Sequence, residues 1–199
     1  MKKWIFITFC ILSNFSAASA LVQLKTFITD TKTLSADFNQ VVTTKNKREE
    51  ASGTLQLLRP NRFRWVYNAP YEQLINSDGK QLWIYDKALA QVTTQALSAS
   101  PLALLAGNDA IERHYTLKDV GSENGLAWLL ATPNHTNSTF NAIRLGFKDN
   151  LLVEMIFTDE FGGTTQIRFS HLKKNRPLPA SLFQFTLPEG VDVVGQPEK

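Results

Sequence analysis

Few side chains in this sequence are spaced for bond-making chemistry. His114, His135 and His171 stand apart, without the H-E-x-x-H or paired spacing that holds a metal. No G-x-S-x-G elbow occurs, and the one cysteine, Cys10, sits inside an apolar run. Gly162-Gly163 reads as a hairpin turn, and the adjacent carboxylates Glu49-Glu50 and Asp159-Glu160 would point to opposite faces of a strand. No catalytic residue, metal or cofactor is expected. Arg59 is the exception that invites a role. In "TLQLLRPNRFRWVY", residues 54–67, it continues by one step the row begun by Leu55 and Leu57. A guanidinium carries five donors in a rigid fork, and the last carbonyls of a helix need donors. Two readings stand: a solvated side chain lying over Leu57 and Phe63, or a clasp between a sheet and a covering helix.

The elements that would position Arg59 begin after a leader. Met1-Lys2-Lys3, the run "WIFITFCILSNF" and Ala18-Ser19-Ala20 supply the basic, apolar and small-residue parts of a secretory signal peptide. Residues 1–20 are therefore expected to be removed before Leu21, leaving 21–199 as a single domain. A leucine rather than a cysteine at position 21 argues against a lipid anchor there. That domain has no cysteine, so it must rely on a core, which a chain of this length can supply. The formal charge of +3 includes Lys2 and Lys3, and the other basic residues are scattered. Such a distribution offers no phosphate-backbone surface, so no nucleic acid partner is expected.

Leu21, Leu24, Phe27 and Ile28 recur at helical spacing, and from Leu34 onward the pattern alternates with period two. Asp78-Gly79, Asn124-Gly125, Lys148-Asp149-Asn150 and the stretch 159–163 are turn signals, which imply an antiparallel meander. A three-residue turn at 59–61 pairs Leu57 with Phe63 and Leu55 with Trp65 on one face. A three-residue turn at 148–150 would pair Phe147 with Leu151, Leu145 with Val153 and Ile143 with Met155. Midway, "SASPLALLAGNDAIERHY" has Ser100 as a helix cap, Pro101 at the first helical position, then Leu102, Leu104 and Leu105 before Gly107. A short helix from Asp109 to His114 follows, and "LPEGVDVV" reads as a turn and a last short strand. Two short helices over an apolar sheet either complete a core or leave a dry cavity beneath a lid. The aromatics Phe63, Trp65, Tyr67, Trp83, Tyr85, Trp128 and Phe140 argue for a cavity suited to acyl chains.

The stretch "GTLQLLRPNRFRWVY" resembles the strand–turn–strand of the LolA family of periplasmic outer-membrane lipoprotein carriers. The likeness continues through "INSDGKQLWIYD", "SASPLALLAG" and "FTLPEGVDVV", and so covers nearly the whole domain. It implies a mainly β fold: an incomplete antiparallel β-barrel in which short α-helices form a lid over a hydrophobic cavity. It also implies a monomeric carrier that receives lipoproteins by their acyl chains from the inner-membrane transporter LolCDE and passes them to the outer-membrane receptor LolB. The family's rim arginine falls on Arg59, expected to bond lid carbonyls, and its cavity aromatic falls on Phe63. Leu55, Leu57 and Trp65 then share that face by the strand pairing. Leu102, Leu104 and Leu105 are the expected lid residues, with Ile28 and Leu34 beside the N-terminal helix. Arg62 and Arg64 depart from the family pattern and, by parity, face away. Two other readings are a LolB-like receptor, disfavoured by the missing lipid-bearing cysteine, and a secreted lipid-modifying enzyme, for which no nucleophile converges.

Overall fold

The computed structural model describes residues 18–97, 105, 111–134 and 140–195. Ser19 caps the helix α1 (Ala20–Asp30), and its hydroxyl accepts from the Val22 N–H. The buried residues Ala20, Gln23, Leu24 and Phe27 fall on one helical stripe, as the sequence spacing requires.

Two antiparallel meanders follow. The first runs β1 (Thr33–Thr43), β2 (Arg48–Leu58), β3 (Arg62–Ala69), β4 (Gln73–Asp78), β5 (Gln81–Asp86) and β6 (Gln91–Ala96). After a one-turn helix at Ile111–His114 come β7 (Tyr115–Glu123), β8 (Leu126–Pro133), β9 (Ala142–Lys148), β10 (Leu151–Thr158) and β11 (Thr164–Lys174). Pairing of β1 with β11 joins the two into one twelve-stranded sheet, ordered β12-β6-β5-β4-β3-β2-β1-β11-β10-β9-β8-β7. The last strand, β12 (Asp192–Val194), is the predicted short one, but it pairs with β6 in parallel rather than extending the meander. The result is the expected mainly β, open and curved sheet, with β12 and β7 as its edges.

The first hairpin has the register read from the sequence: Leu57 faces Phe63 and Leu55 faces Trp65. Asn61 lies at φ 62°, a left-handed conformation that Asn tolerates better than most residues. The second predicted register is wrong. Asp149 and Asn150, at φ 51° and 60°, form a two-residue turn of the kind that matches strand twist. Lys148 therefore faces Leu151, and Phe147 faces Leu152. A bulge between Leu152 and Glu154 then shifts the ladder, so Met155 opposes Leu145 and Phe157 opposes Ile143. Leu151 and Val153 are only half-buried, while Leu152 takes the place opposite Phe147 and Met155 the place opposite Leu145 that were assigned to them.

The aromatics also divide between the two faces. Trp65 opposes Ile75, which opposes Ile84, so the next residues along β5, Trp83 and Tyr85, turn to the outer face. There Trp83 stacks on Phe185 at 5.5 Å. The C-terminal stretch lies over that face: Phe183 is 1 % exposed, and its carbonyl accepts from the buried Asn76 side chain at 2.8 Å. Trp128 likewise faces outward opposite Gly146, with the Arg144 guanidinium 4.5 Å from its ring centre. The cavity reading therefore loses Trp83, Tyr85 and Trp128. Arg62 and Arg64 lie half-buried on the same outer side as Asn76, as parity predicts.

Candidate functional site

The inner face of β1, β2 and β3 is built by alternation. Leu34, Ala36 and Phe38 from β1 align with Leu57, Leu55 and Gly53 from β2. Phe63, Trp65 and Tyr67 of β3 continue the rows. Gly53 is required here. An added Cβ would lie 1.8 Å from the Val66 carbonyl oxygen and 2.8 Å from the Phe38 ring. In the space this glycine leaves, Phe38 packs 4.5 Å from Trp65 and 5.1 Å from Tyr67, and Phe169 joins Trp65 at 5.9 Å. Such contacts add about 0.5–1.5 kcal/mol each beyond the area they bury.

The expected cavity residues converge on this face. Leu34, Leu55, Leu57, Phe63, Trp65 and Leu105 all belong to one buried cluster, with Leu57 at 0 % exposure, and Ile28 packs against it half-buried. Leu102 and Leu104 lie outside the described residues. Toward the other end of the inner face a cavity of about 470 Å³ opens, bordered by Gln40, Val42, Tyr67, Tyr71, Asp86 and Leu89. The Tyr67 hydroxyl donates to the Gln40 side chain at 3.0 Å. Burial pushes the Tyr67 phenol up to about 12.

α1 covers the end of the sheet where Arg59 stands. It packs on β7, β8, β9 and β10, with Phe27 set 6.2 Å from Phe147. Just beyond β2, Arg59 takes the inner parity of Leu55 and Leu57 and reaches the chain leaving this helix. Its Nε donates to the carbonyl of Thr31, the C-cap of α1, at 2.9 Å, and its backbone N–H donates to Lys32 O at 2.9 Å. The Phe27 ring covers the guanidinium at 5.2 Å. Burial pushes the group down to about 10, so it stays cationic at neutral pH while partly stripped of water. The side chain expected either in solvent or on a covering helix thus bonds the C-cap of the N-terminal helix.

Sequence reasoning missed two further contacts on α1. Asn175, at φ 57° after β11, donates its side-chain N–H to Asp30 O at 2.7 Å and accepts from the Lys32 N–H at 2.8 Å. Together with Arg59 it satisfies carbonyls that a helix end leaves without partners. At the opposite end, Asp119 Oδ2 accepts from the Ala20 N–H at 2.7 Å. Both partners are remote in sequence. Only the turn-forming character of "KKNRP" hinted at Asn175.

Among the described residues no cluster of histidine, cysteine or carboxylates could hold a metal, and no helix is long and apolar enough to cross a membrane. What the geometry defines is a curved-sheet protein whose apolar concave face lies under a helix pinned at its ends. The sequence matches the family model "Outer membrane lipoprotein carrier protein LolA" over residues 29–186. It is 58% identical over 181 residues to an outer-membrane lipoprotein carrier protein of Chromobacterium violaceum, covering 89% of this chain and 88% of that one. A carrier of the same description from Dechloromonas aromatica is 45% identical over 194 residues, covering 94% and 93%. The chain belongs to the LolA family. Among solved structures, a LolA superfamily protein from Nitrosomonas europaea shares the fold at 13% identity, TM-score 0.51, covering 85% of this chain and 99% of that one. An uncharacterized conserved protein from Thermus thermophilus does so at 16% identity, TM-score 0.53, covering 87% and 96%.

Proposed function

We propose that this chain is a non-enzymatic periplasmic carrier that holds the acyl chains of lipoproteins against its inner face and releases them to an outer-membrane receptor. The observation that carries this reading is the Arg59 contact: one half-buried cation holds the helix that covers part of the apolar inner face. Each methylene taken out of water is worth roughly 0.8 kcal/mol, so a dozen come to about 10 kcal/mol. Cargo of that kind needs enclosure during transit, and the family's named role supports the assignment.

In this reading the described structure is the closed form. Leu34, Leu55, Leu57, Phe63, Trp65 and Leu105 meet one another when the interior holds no guest, and acyl chains enter by displacing the covering helix, with Ile28 in the moving part. Opening separates Arg59 from Thr31. The energy of that contact is then subtracted from cargo affinity and favours release. A charge-assisted bond of this type contributes roughly 1.5–3 kcal/mol, enough to bias an equilibrium and small enough to break thermally. The donor in this scheme is the transporter LolCDE and the acceptor is LolB.

The test is to express the chain with its leader in a Gram-negative host, purify it from the periplasm and identify co-purifying lipoproteins by mass spectrometry. Acylated lipoproteins are expected. A chain that carries none, and that also fails to bind a triacylated lipopeptide when purified, overturns the proposal. Hydrolysis of an acyl ester by the same preparation would favour the lipid-modifying enzyme instead.

A further inference from the structure

On the signal-peptide reading of residues 1–20, the processing junction falls between Ala20 and Leu21, at the first turn of α1. A carboxylate faces this junction. Asp119 Oδ2 accepts from the Ala20 N–H at 2.7 Å, and the Leu21 N–H follows one residue on in the same turn of α1. Its other oxygen accepts from the Gly121 N–H at 3.0 Å. β7 is irregular between Asp119 and Ser122, and Gly121 takes φ 86°, a conformation suited to glycine. Among the described residues no ion pair involves Asp119: Lys25 pairs with Glu112, Arg144 with Glu123 and Arg168 with Glu154. The remaining charges on elements packed against α1 are Lys118, neighbour of Asp119 on β7, and Lys148 at the end of β9. The full negative charge of Asp119 therefore meets only neutral donors while the leader is attached.

We propose that Asp119 is a binding site for a primary ammonium, and that its ligand is the α-amine which processing creates on Leu21. This rests on the reading that the chain is cut before Leu21. Cutting there removes the Ser19 cap, the buried Ala20 and the bond from the Gln23 side chain to Ala18 O. It converts the Leu21 amide, one residue on from the donor that meets Asp119, into a cationic group with three N–H donors. A positive charge at a helix N-terminus is opposed by the helix dipole, and a carboxylate in hydrogen-bond contact offsets that opposition. The sheet then clasps α1 at both ends with opposite charges: Arg59 at the C-terminal carbonyls and Asp119 at the N-terminal ammonium. Processing thus completes the seating of the helix that covers the inner face.

The experiment is a four-arm cycle on the chain beginning at Leu21, with a free or an acetylated α-amine, and with Asp119 or the Asp119→Asn substitution. Acetylation alone and Asp119→Asn alone are each expected to lower the thermal midpoint by about 2–4 °C, typical of one lost charged contact in a chain of this size. Made together they are expected to lower it no further than either does alone. A titration of the Leu21 amine followed by NMR is expected to give a value above the ordinary 7.7–8.0, returning to that range in Asp119→Asn. Additive losses, or an ordinary value with Asp119 present, overturn the proposal. Intact mass of the exported protein separates the two ideas. A chain starting elsewhere refutes the cleavage reading, while the four arms still decide whether Asp119 binds the amine.

Discussion

The guanidinium carbon of Arg59 lies 5.2 Å from the centre of the Phe27 ring, so the helix that Arg59 holds also shields the cation that holds it. The carbonyl of Thr31 and the face of Phe27 move together, because both belong to α1 and its cap. Displacing the helix removes these two contacts from Arg59 in one step and exposes more of the guanidinium to water. Burial disfavours the cation, since it pushes the group down to about 10, so rehydration offsets part of what opening costs.

Replacing Arg59 by Leu removes the clasp while keeping an apolar stem. We expect Arg59→Leu to load triacylated lipopeptide at least as well as the wild type and to transfer it to a receptor many-fold more slowly. Separate loading and transfer assays check this, and wild-type transfer would remove Arg59 from the release step.

Gly53 underlies the aromatic cluster. Gly53→Ala forces a Cβ against the Val66 carbonyl and the Phe38 ring. A loss of about 1–3 kcal/mol is expected from overpacking, together with a changed near-ultraviolet dichroism from Trp65 and Tyr67. Urea denaturation and the spectrum measure these two effects. An unchanged midpoint would mean that β2 and β3 pass each other less closely than described.

Tyr67 makes a pH prediction. Burial raises its phenol to about 12 from an ordinary 10. The unfolded chain ionises first, so this residue's contribution to stability is complete below pH 10 and is lost as pH climbs from 10 toward 12. Tyr67→Phe is expected to flatten stability against pH over that window and to remove a late step from the tyrosinate absorbance titration.

Asn175 joins two unlike requirements, a left-handed backbone and a side chain that bridges Asp30 O and the Lys32 N–H. Asn175→Gly keeps the first and loses the second, at an expected cost of about 1–2 kcal/mol. Asn175→Ala loses both, adding roughly 1–2 kcal/mol of backbone strain. Chemical denaturation of the two variants should therefore place Ala below Gly. The reverse order would assign the residue no conformational role.

How far these features could be read in advance depended on distance along the chain. The Leu57–Phe63 and Leu55–Trp65 pairs were legible because one short turn and a strict alternation fix both partners. Near Asn150 the same arithmetic failed. Leu151, Leu152 and Val153 are all apolar, so alternation cannot reveal a bulge that exchanges which of them faces inward. Trp83 and Tyr85 were assigned to the inner face on size alone. Their partner, the stretch containing Phe183 and Phe185, lies about a hundred residues away and gives no local signal. Asp119 and Asn175 were invisible for the same reason, since each meets α1 across 99 and 145 residues of sequence.

β7 and β12 terminate the sheet without pairing to each other. In a fully closed barrel the circumference follows from strand number and shear, and enlarging it means breaking rungs of the ladder. Here the two edge strands share no ladder, so no backbone rungs between them fix their separation. In the carrier reading proposed above, widening for a bulkier guest would break no rung between these two edges, as opening a split ring cuts no metal.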